Sequence, residues 1–359
     1  MSILAVSASS FPIWTLLTLT LFLAKSRPAM ASEPQKVVIA HRGASGYLPE
    51  HTLAGKALAY GMGAHFIEQD LVLTKDDQPV VLHDIYLDTV TDVATVFPDR
   101  RRDDGRYYAI DLSLAEIKTL RVSERIELQS GTAVFTGRFP VCRMPFQVPT
   151  LVEEIELVQG LNKSTGRDVG IYPEIKSPAW HRAQGKDISR IVLQVLQRSG
   201  YRNKSDNVFL QCFDANELQR IRHELDCHLR LVQLIGANEW NEAATDFDRL
   251  RTSQGLQEIA QYADGIGPWL PQVVPGKDNQ GRLRISELVH QAHRHGLLVH
   301  PYTLRADQMP DYANSFEELL RIVLVDADAD GVFTDFPDRV RTFIRQLSSA
   351  TSQSDRDSK

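Results

Sequence analysis

Short runs rich in Val, Ile and Leu recur along this chain, separated by longer stretches of helical period, and that alternation leaves few folds open to it. Nine such runs stand out: Val37 to Ala40, Phe66 to Asp70, Val80 to His83, Gly170 to Glu174, Val208 to Gln211, Leu231 to Leu234, Gly265 to Gly267, Leu297 to His300 and Gly331 to Thr334. Parallel strands joined by crossover helices produce this pattern, and the expected fold is an α/β TIM-type (β/α)8 barrel. Nine runs are one more than such a barrel needs. The second and third are joined only by Thr74 to Pro79, too short for a helix. Either that pair has a different connection, or the weak Gly265 run is not a stave.

Helices fit between the other runs. Thr52 is placed to cap a segment bearing Leu53, Ala57 and Leu58 on one face and ending at Gly61 and Gly63. Thr150 precedes Leu151, Ile155 and Val158, with Glu153 at the capping-box position. Between His83-Asp84 and Thr150 lies far more chain than a barrel loop requires. It holds the charge run Asp99 to Arg106, a helical stretch Leu114 to Leu120 and a tail punctuated by Gly and Pro. The expectation is a small insertion domain over residues 86–148, after the third strand, lying over the barrel mouth. Barrel and insertion together take residues 32–347, and the polar residues 348–359 read as a disordered tail.

At the start, the apolar stretch Phe11 to Ala24, then Lys25, Arg27 and the small-residue site Ala29-Met30-Ala31, has the form of a secretory signal over residues 1–31. The stretch is short for a bilayer span, so periplasmic export is expected rather than a stable membrane anchor. Cleavage after Ala31 takes the formal charge from −6 to −8, a balance that argues against nucleic acid as a partner. The three cysteines, Cys142, Cys212 and Cys227, are too few for a disulfide framework.

Chemistry-bearing residues close several of the apolar runs. Glu68 and Asp70 are two apart on a strand and share a face; Glu174 and Lys176 repeat the arrangement on another. Adjacent carboxylates inside a barrel repel unless a cation lies between them, so Glu68, Asp70 and Glu174 form a plausible oxygen site for calcium or magnesium. His41 and His83 end different strands and can face one pocket from two sides, where imidazole suits proton transfer near neutral pH. Arg42 offers a planar fork and Lys176 a point charge for phosphate oxygens. Together they read as metal-assisted attack on a phosphate ester. Two other patterns are set aside. The stretch Asp326 to Gly331 opens like a calcium loop but has Pro337 at its twelfth position, and His293 and His295 lie at a solvated helix end.

With these residues on view, the chain resembles the glycerophosphodiester phosphodiesterase family, most closely its periplasmic bacterial branch. The matching elements run in order: His41-Arg42-Gly43 with Pro49-Glu50-His51-Thr52, Glu68-Gln69-Asp70, His83-Asp84, Pro173-Glu174-Ile175-Lys176, Gln211-Cys212-Phe213-Asp214, Val299-His300-Pro301-Tyr302-Thr303 and Gly331-Val332-Phe333-Thr334-Asp335-Phe336-Pro337. The resemblance implies one divalent cation, calcium ahead of magnesium, held by Glu68, Asp70 and Glu174. It implies His41 and His83 as the acid/base pair and Arg42 and Lys176 as phosphate contacts. Family patterns often carry Asn and Trp where this chain has His51 and Tyr302, a departure that bears on substrate fit.

The expected reaction is hydrolysis of glycerophosphodiesters such as glycerophosphocholine or glycerophosphoethanolamine to glycerol 3-phosphate and an alcohol, through a cyclic phosphate, with direct attack by water as the alternative. The alcohol leaves toward solvent, so selectivity is expected on the glycerol side, with Glu50, Phe213 and Tyr302 as lining candidates. Two other readings compete. A metal-dependent amidohydrolase on the same barrel would carry a His-x-His pair where this chain has His41-Arg42-Gly43, and a non-catalytic periplasmic binder of glycerol phosphates has no need of two histidines around a metal. The insertion is free to cover the site, to make a homodimer contact, or both.

Overall fold

The computed structural model describes residues 36–141 and 144–357; the candidate signal segment lies outside the described residues. Eleven strands occur in chain order: β1 (Val37–Ala40), β2 (Phe66–Leu73), β3 (Pro79–Val81), β4 (Gly170–Ile175), β5 (Phe209–Cys212), β6 (Arg230–Ile235), β7 (Gly265–Pro268), β8 (Gly276–Lys277), β9 (Leu283–Arg284), β10 (Leu298–Val299) and β11 (Gly331–Thr334). Eight of them are parallel neighbours in the order β10-β7-β6-β5-β4-β2-β1-β11. The seam between the two ends is bridged by Asp330 N–H to Val299 O (3.0 Å), Phe333 N–H to Pro301 O (3.0 Å) and Leu304 N–H to Phe333 O (2.9 Å), so the sheet closes nearly into a barrel.

The surplus run is β3, which folds back antiparallel on β2 with Val72 opposite Val80. The link, residues 74–78, cannot carry a crossover helix and makes a hairpin instead. The Gly265 run is a true stave, paired on both sides.

The two faces of each stave divide the chemistry. Alternate residues such as Val38, Ile67, Ile171 and Leu210 pack against the surrounding helices in the main core, fully buried. The others fill the barrel: Ile39, Phe66, Tyr172, Phe209, Val232 and Phe333 form a mostly aromatic plug. Because side chains return to one face every second residue, stepping two residues along each stave leads from this plug to the polar layer above it. Ile39 leads to His41, Phe66 to Glu68 and Asp70, Tyr172 to Glu174, and Phe209 to Gln211.

The caps form as the sequence indicates. Thr52 accepts from the Gly55 N–H to start the helix Leu53–Gly61, and Thr150 with Glu153 makes a full capping box on the helix Leu151–Thr165. The insertion is irregular, its helical stretch shortened to Leu114–Ile117. Its own apolar cluster, with Leu87, Val93, Leu112 and Ile117 buried, packs onto Val72 and Val80 of the hairpin. Residues 36–357 form one compact unit, so the insertion has a core of its own without being a separate body. The last helix, Pro337–Asp357, runs through most of the segment expected to be disordered. Val340 and Ile344 anchor its first turns, and once a helix is nucleated each further turn adds at little cost. Cys212 and Cys227 are both buried free thiols.

Candidate active site

Register brings the carboxylates together. Parallel pairing of β2 with β4 sets Asp70 beside Glu174, with Glu68 two residues before Asp70 on the same face. One ligand oxygen from each lies within 4.8 Å of the other two, and among the described residues this is the group of three acidic, His or Cys side chains that meets such a spacing. All three are buried. Burial, and then the neighbouring Asp70, pushes Glu68 up to about 8; burial likewise holds Glu174 well above its usual range, against the pull of Lys176. For Asp70 burial works in the same direction, but the hydrogen bond and charge of His51 outweigh it and hold the carboxyl well below the usual range. Asp70 Oδ1 and Gln211 Oε1 are buried without a hydrogen-bond partner, an arrangement a folded protein avoids unless something else satisfies it. Three close carboxylates with an orphaned oxygen among them fit a hard divalent cation, and they make a candidate metal site.

Charges surround the triad. Arg42 has a left-handed backbone (φ 58°), which turns its N–H onto Glu68 Oε2 at 2.7 Å while its guanidinium reaches Glu50 (3.0 Å) and Asp70 (3.7 Å). The next residue must be glycine: at φ 89°, an added Cβ on Gly43 would sit 3.0 Å from the Gly55 backbone. Lys176 Nζ lies 2.8 Å from Glu174 and 3.3 Å from Glu242. Beneath them, fully buried Lys56 donates to the Glu68 carbonyl and to His51 Nδ1 (3.2 Å) and pairs with Glu154 (3.1 Å). His51 passes the chain on through Nε2 to Asp70 (2.8 Å).

The two histidines share one construction. His41 Nδ1 meets Asp335 Oδ1 at 2.6 Å, and His83 Nδ1 meets Asp84 Oδ1 at 2.6 Å. In each the carboxylate accepts from Nδ1–H, leaving Nε2 to face the cavity for proton transfer; His41 Nε2 is 4.0 Å from Glu68. Burial, then Arg42, lowers His41 to about 4, so it is neutral at pH 7 and able to accept a proton; burial and Arg42 lower His83 as well.

One cavity of about 290 Å³ is lined by both histidines, Arg42, Lys176, Glu68, Asp70 and Glu174, so every expected chemical residue converges. Phe213 and Tyr302 line it too, ring to ring at 6.0 Å. Glu50 does not. Both its oxygens are taken by guanidiniums, Arg42 at 3.0 Å and Arg125 at 2.7 Å, so it orients arginines rather than lining the glycerol side as expected. Neither the stretch Asp326 to Gly331 nor His293 joins the site; His293 pairs with Asp330 at 2.9 Å.

Several participants were not singled out from the sequence. Asp335 appeared only as a matching motif letter, while Arg138 and Arg305 grip its Oδ2 at 2.6 and 2.7 Å. Arg125, from the insertion, bridges Glu50 and Asp84. Trp240, Glu242 and Trp269 line the mouth. Arg125 and Arg138 carry no local signal, since nothing near them in sequence says which carboxylate they will meet.

Known proteins resemble the chain over most of its length. The glycerophosphoryl diester phosphodiesterase family model matches residues 41–339. A glycerophosphodiester phosphodiesterase of Haemophilus influenzae is 44% identical over 87% of this chain and 90% of its own length, and one of Treponema pallidum is 36% identical over 85% and 90%. The structure of an Oleispira antarctica phosphodiesterase in complex with the product sn-glycerol-3-phosphate shares the fold with a TM-score of 0.58 at 21% identity, over 87% of this chain and 97% of that one. A nearly closed parallel barrel, its strand-end constellation and a likeness running the length of both chains converge on one assignment: the chain belongs to the glycerophosphoryl diester phosphodiesterase family and is a phosphodiesterase of that kind.

Proposed function

We propose that the chain hydrolyses glycerophosphodiesters, glycerophosphocholine and glycerophosphoethanolamine among them, to glycerol 3-phosphate and an alcohol, using a divalent cation and the pair His41 and His83. The observation that carries this reading is a single cavity lined by the close triad Glu68, Asp70 and Glu174 and by two imidazoles whose Nδ1 atoms are each tied to a carboxylate. Glu68, Asp70 and Glu174 would hold the cation, calcium ahead of magnesium because calcium accepts irregular oxygen shells, and it would supply polarisation of a phosphoryl oxygen and acidification of a nearby hydroxyl.

The residues do the rest. Arg42 and Lys176 bind the phosphate and offset the charge that gathers on it as a fifth oxygen approaches. One histidine, neutral beforehand, takes the proton of the glycerol 2-hydroxyl as its oxygen bonds to phosphorus. The other, which must enter the cycle carrying a proton on Nε2, gives that proton to the departing alcohol oxygen as that P–O bond breaks. The two then exchange roles while water opens the cyclic phosphate. Phe213 and Tyr302 flank the glycerol. The sn-glycerol-3-phosphate bound to the Oleispira antarctica relative supports the same product here. Export to the periplasm, proposed from residues 1–31, would put the enzyme where exogenous diesters arrive.

The test is release of glycerol 3-phosphate from glycerophosphocholine, with and without chelator. The reading predicts loss of release on chelation and recovery on adding calcium. Release unchanged by thorough chelation would refute the metal-dependent mechanism, and no release under any metal would refute the activity.

A further inference from the structure

The cavity is not chemically uniform. Toward its mouth the phosphate-binding cations give way to Trp240, Trp269 and Glu242. Both indoles are more than a third exposed, Trp240 at 42% and Trp269 at 37%, and they meet edge to face with centroids 5.0 Å apart. This pair is built rather than loose. Trp240 closes the short helical turn Asn238–Trp240 after β6 and rests on Gly236, where an added Cβ would come 2.9 Å from the indole and 3.3 Å from Phe213. Gln272 ties the two loops together, donating to the Gly236 carbonyl at 2.6 Å and accepting from the Trp269 N–H at 3.1 Å. Asn241, left-handed at φ 53°, then turns the chain so that Glu242 borders the cavity beside Lys176.

A carboxylate and two indole faces are poor company for an anion. Lys176 is already matched by Glu174 at 2.8 Å, so the charge of Glu242 is only partly spent on it. The cavity therefore offers both signs of charge, Arg42, Lys176 and Arg305 for an anion and Glu242 with the two indoles for a cation. A zwitterionic diester carries both signs too, a phosphate anion with an ammonium a few bonds away. Indole is the strongest of the aromatic faces for a desolvated quaternary ammonium.

We infer that Trp240, Trp269 and Glu242 form a subsite for a cationic head group, so that the enzyme selects on the leaving alcohol as well as on glycerol. This rests on the diesterase reading above and goes beyond it, since an alcohol departing into open solvent would need no such grip.

The experiment measures kcat/KM for glycerophosphocholine and for a diester whose second alcohol is glycerol, in the wild type, W240A, W269A, W240F and E242Q. The ratio of choline diester to glycerol diester is expected to fall ~5- to 20-fold in W240A and E242Q, less in W269A, and to be largely retained in W240F. Tetramethylammonium chloride, against a sodium chloride control, should compete with the choline diester in the wild type and lose that effect in W240A. A ratio unchanged in W240A and E242Q, with both diesters slowed alike, would assign the rim to glycerol or to folding and overturn the inference. Failure of the wild type to release glycerol 3-phosphate from either diester would instead overturn the diesterase reading itself.

Discussion

His41 and His83 are held by one device at two depths. Each has an aspartate on Nδ1 at 2.6 Å, yet the Asp335 side chain is 1% exposed and the Asp84 side chain 23%. For Asp335, burial favours the neutral acid, but Arg305, His41 and Arg138 overcome it and hold the carboxyl well below its usual range. Asp84 is lowered in the same sense by His83 and Arg125. The deep corner thus depends on several charges balancing where water cannot substitute for any of them. The shallow corner can recruit water when a partner is lost. Both corners also draw an arginine from the insertion, Arg138 at Asp335 and Arg125 at Asp84, so that segment helps to fix both histidine–aspartate pairs.

The largest effect should come from the imidazoles themselves. H41A and H83A are each expected to lower kcat by about 10²- to 10⁴-fold, and near-normal turnover in either would break the pairing. The aspartates come next and test depth directly. D335N should lower kcat about 100-fold and also cost about 3 kcal/mol of stability in urea unfolding, because it removes a buried charge that pairs with Arg305 and leaves Arg138 with Asp307 alone. D84N should lower kcat about tenfold with little change in unfolding midpoint. Equal damage from both would show that burial does not set the difference.

The insertion arginines should matter less, and in the opposite order. R125A is expected to lower kcat about fivefold, since among the described residues no second guanidinium pairs with Asp84. R138A should cost about threefold, because Arg305 remains on Asp335 at 2.7 Å. The smallest effect extends the same depth argument to histidines outside the site. Burial holds His181 and His300 at about 4, below the ordinary 6.5. Their contribution is complete above pH 6.5 and is lost as pH falls from 6.5 toward 4, because the unfolded chain takes up protons that the folded one refuses. Urea midpoints should decline over that window, and H300N should flatten the decline.

Much of the site was legible because β-strands repeat every two residues. Glu68 with Asp70, and Glu174 with Lys176, share faces by spacing alone, and His41 and His83 follow apolar runs that could only be strands or their ends. Thr52 and the Thr150–Glu153 pair announced their helices for equally local reasons. Glu50 was assigned to the wrong surroundings because its neighbours in sequence say nothing of Arg125, which arrives from 75 residues away. The hairpin of β2 and β3 was visible only as a link too short for a helix, and the final helix outran its apolar residues because an anchored helix extends cheaply.

The amino-acid sequence by itself determined the barrel class, the placing of carboxylates and imidazoles at strand ends, and the family, since each follows from periodicity or from residues close along the chain. Only the tertiary structure decided which aspartate steadies which histidine, that the insertion supplies Arg125 and Arg138, and that Trp240, Trp269 and Glu242 meet at one rim. Those contacts join loops far apart in sequence, and parallel register together with closure of the sheet, rather than any local preference, brings such loops within reach of one another.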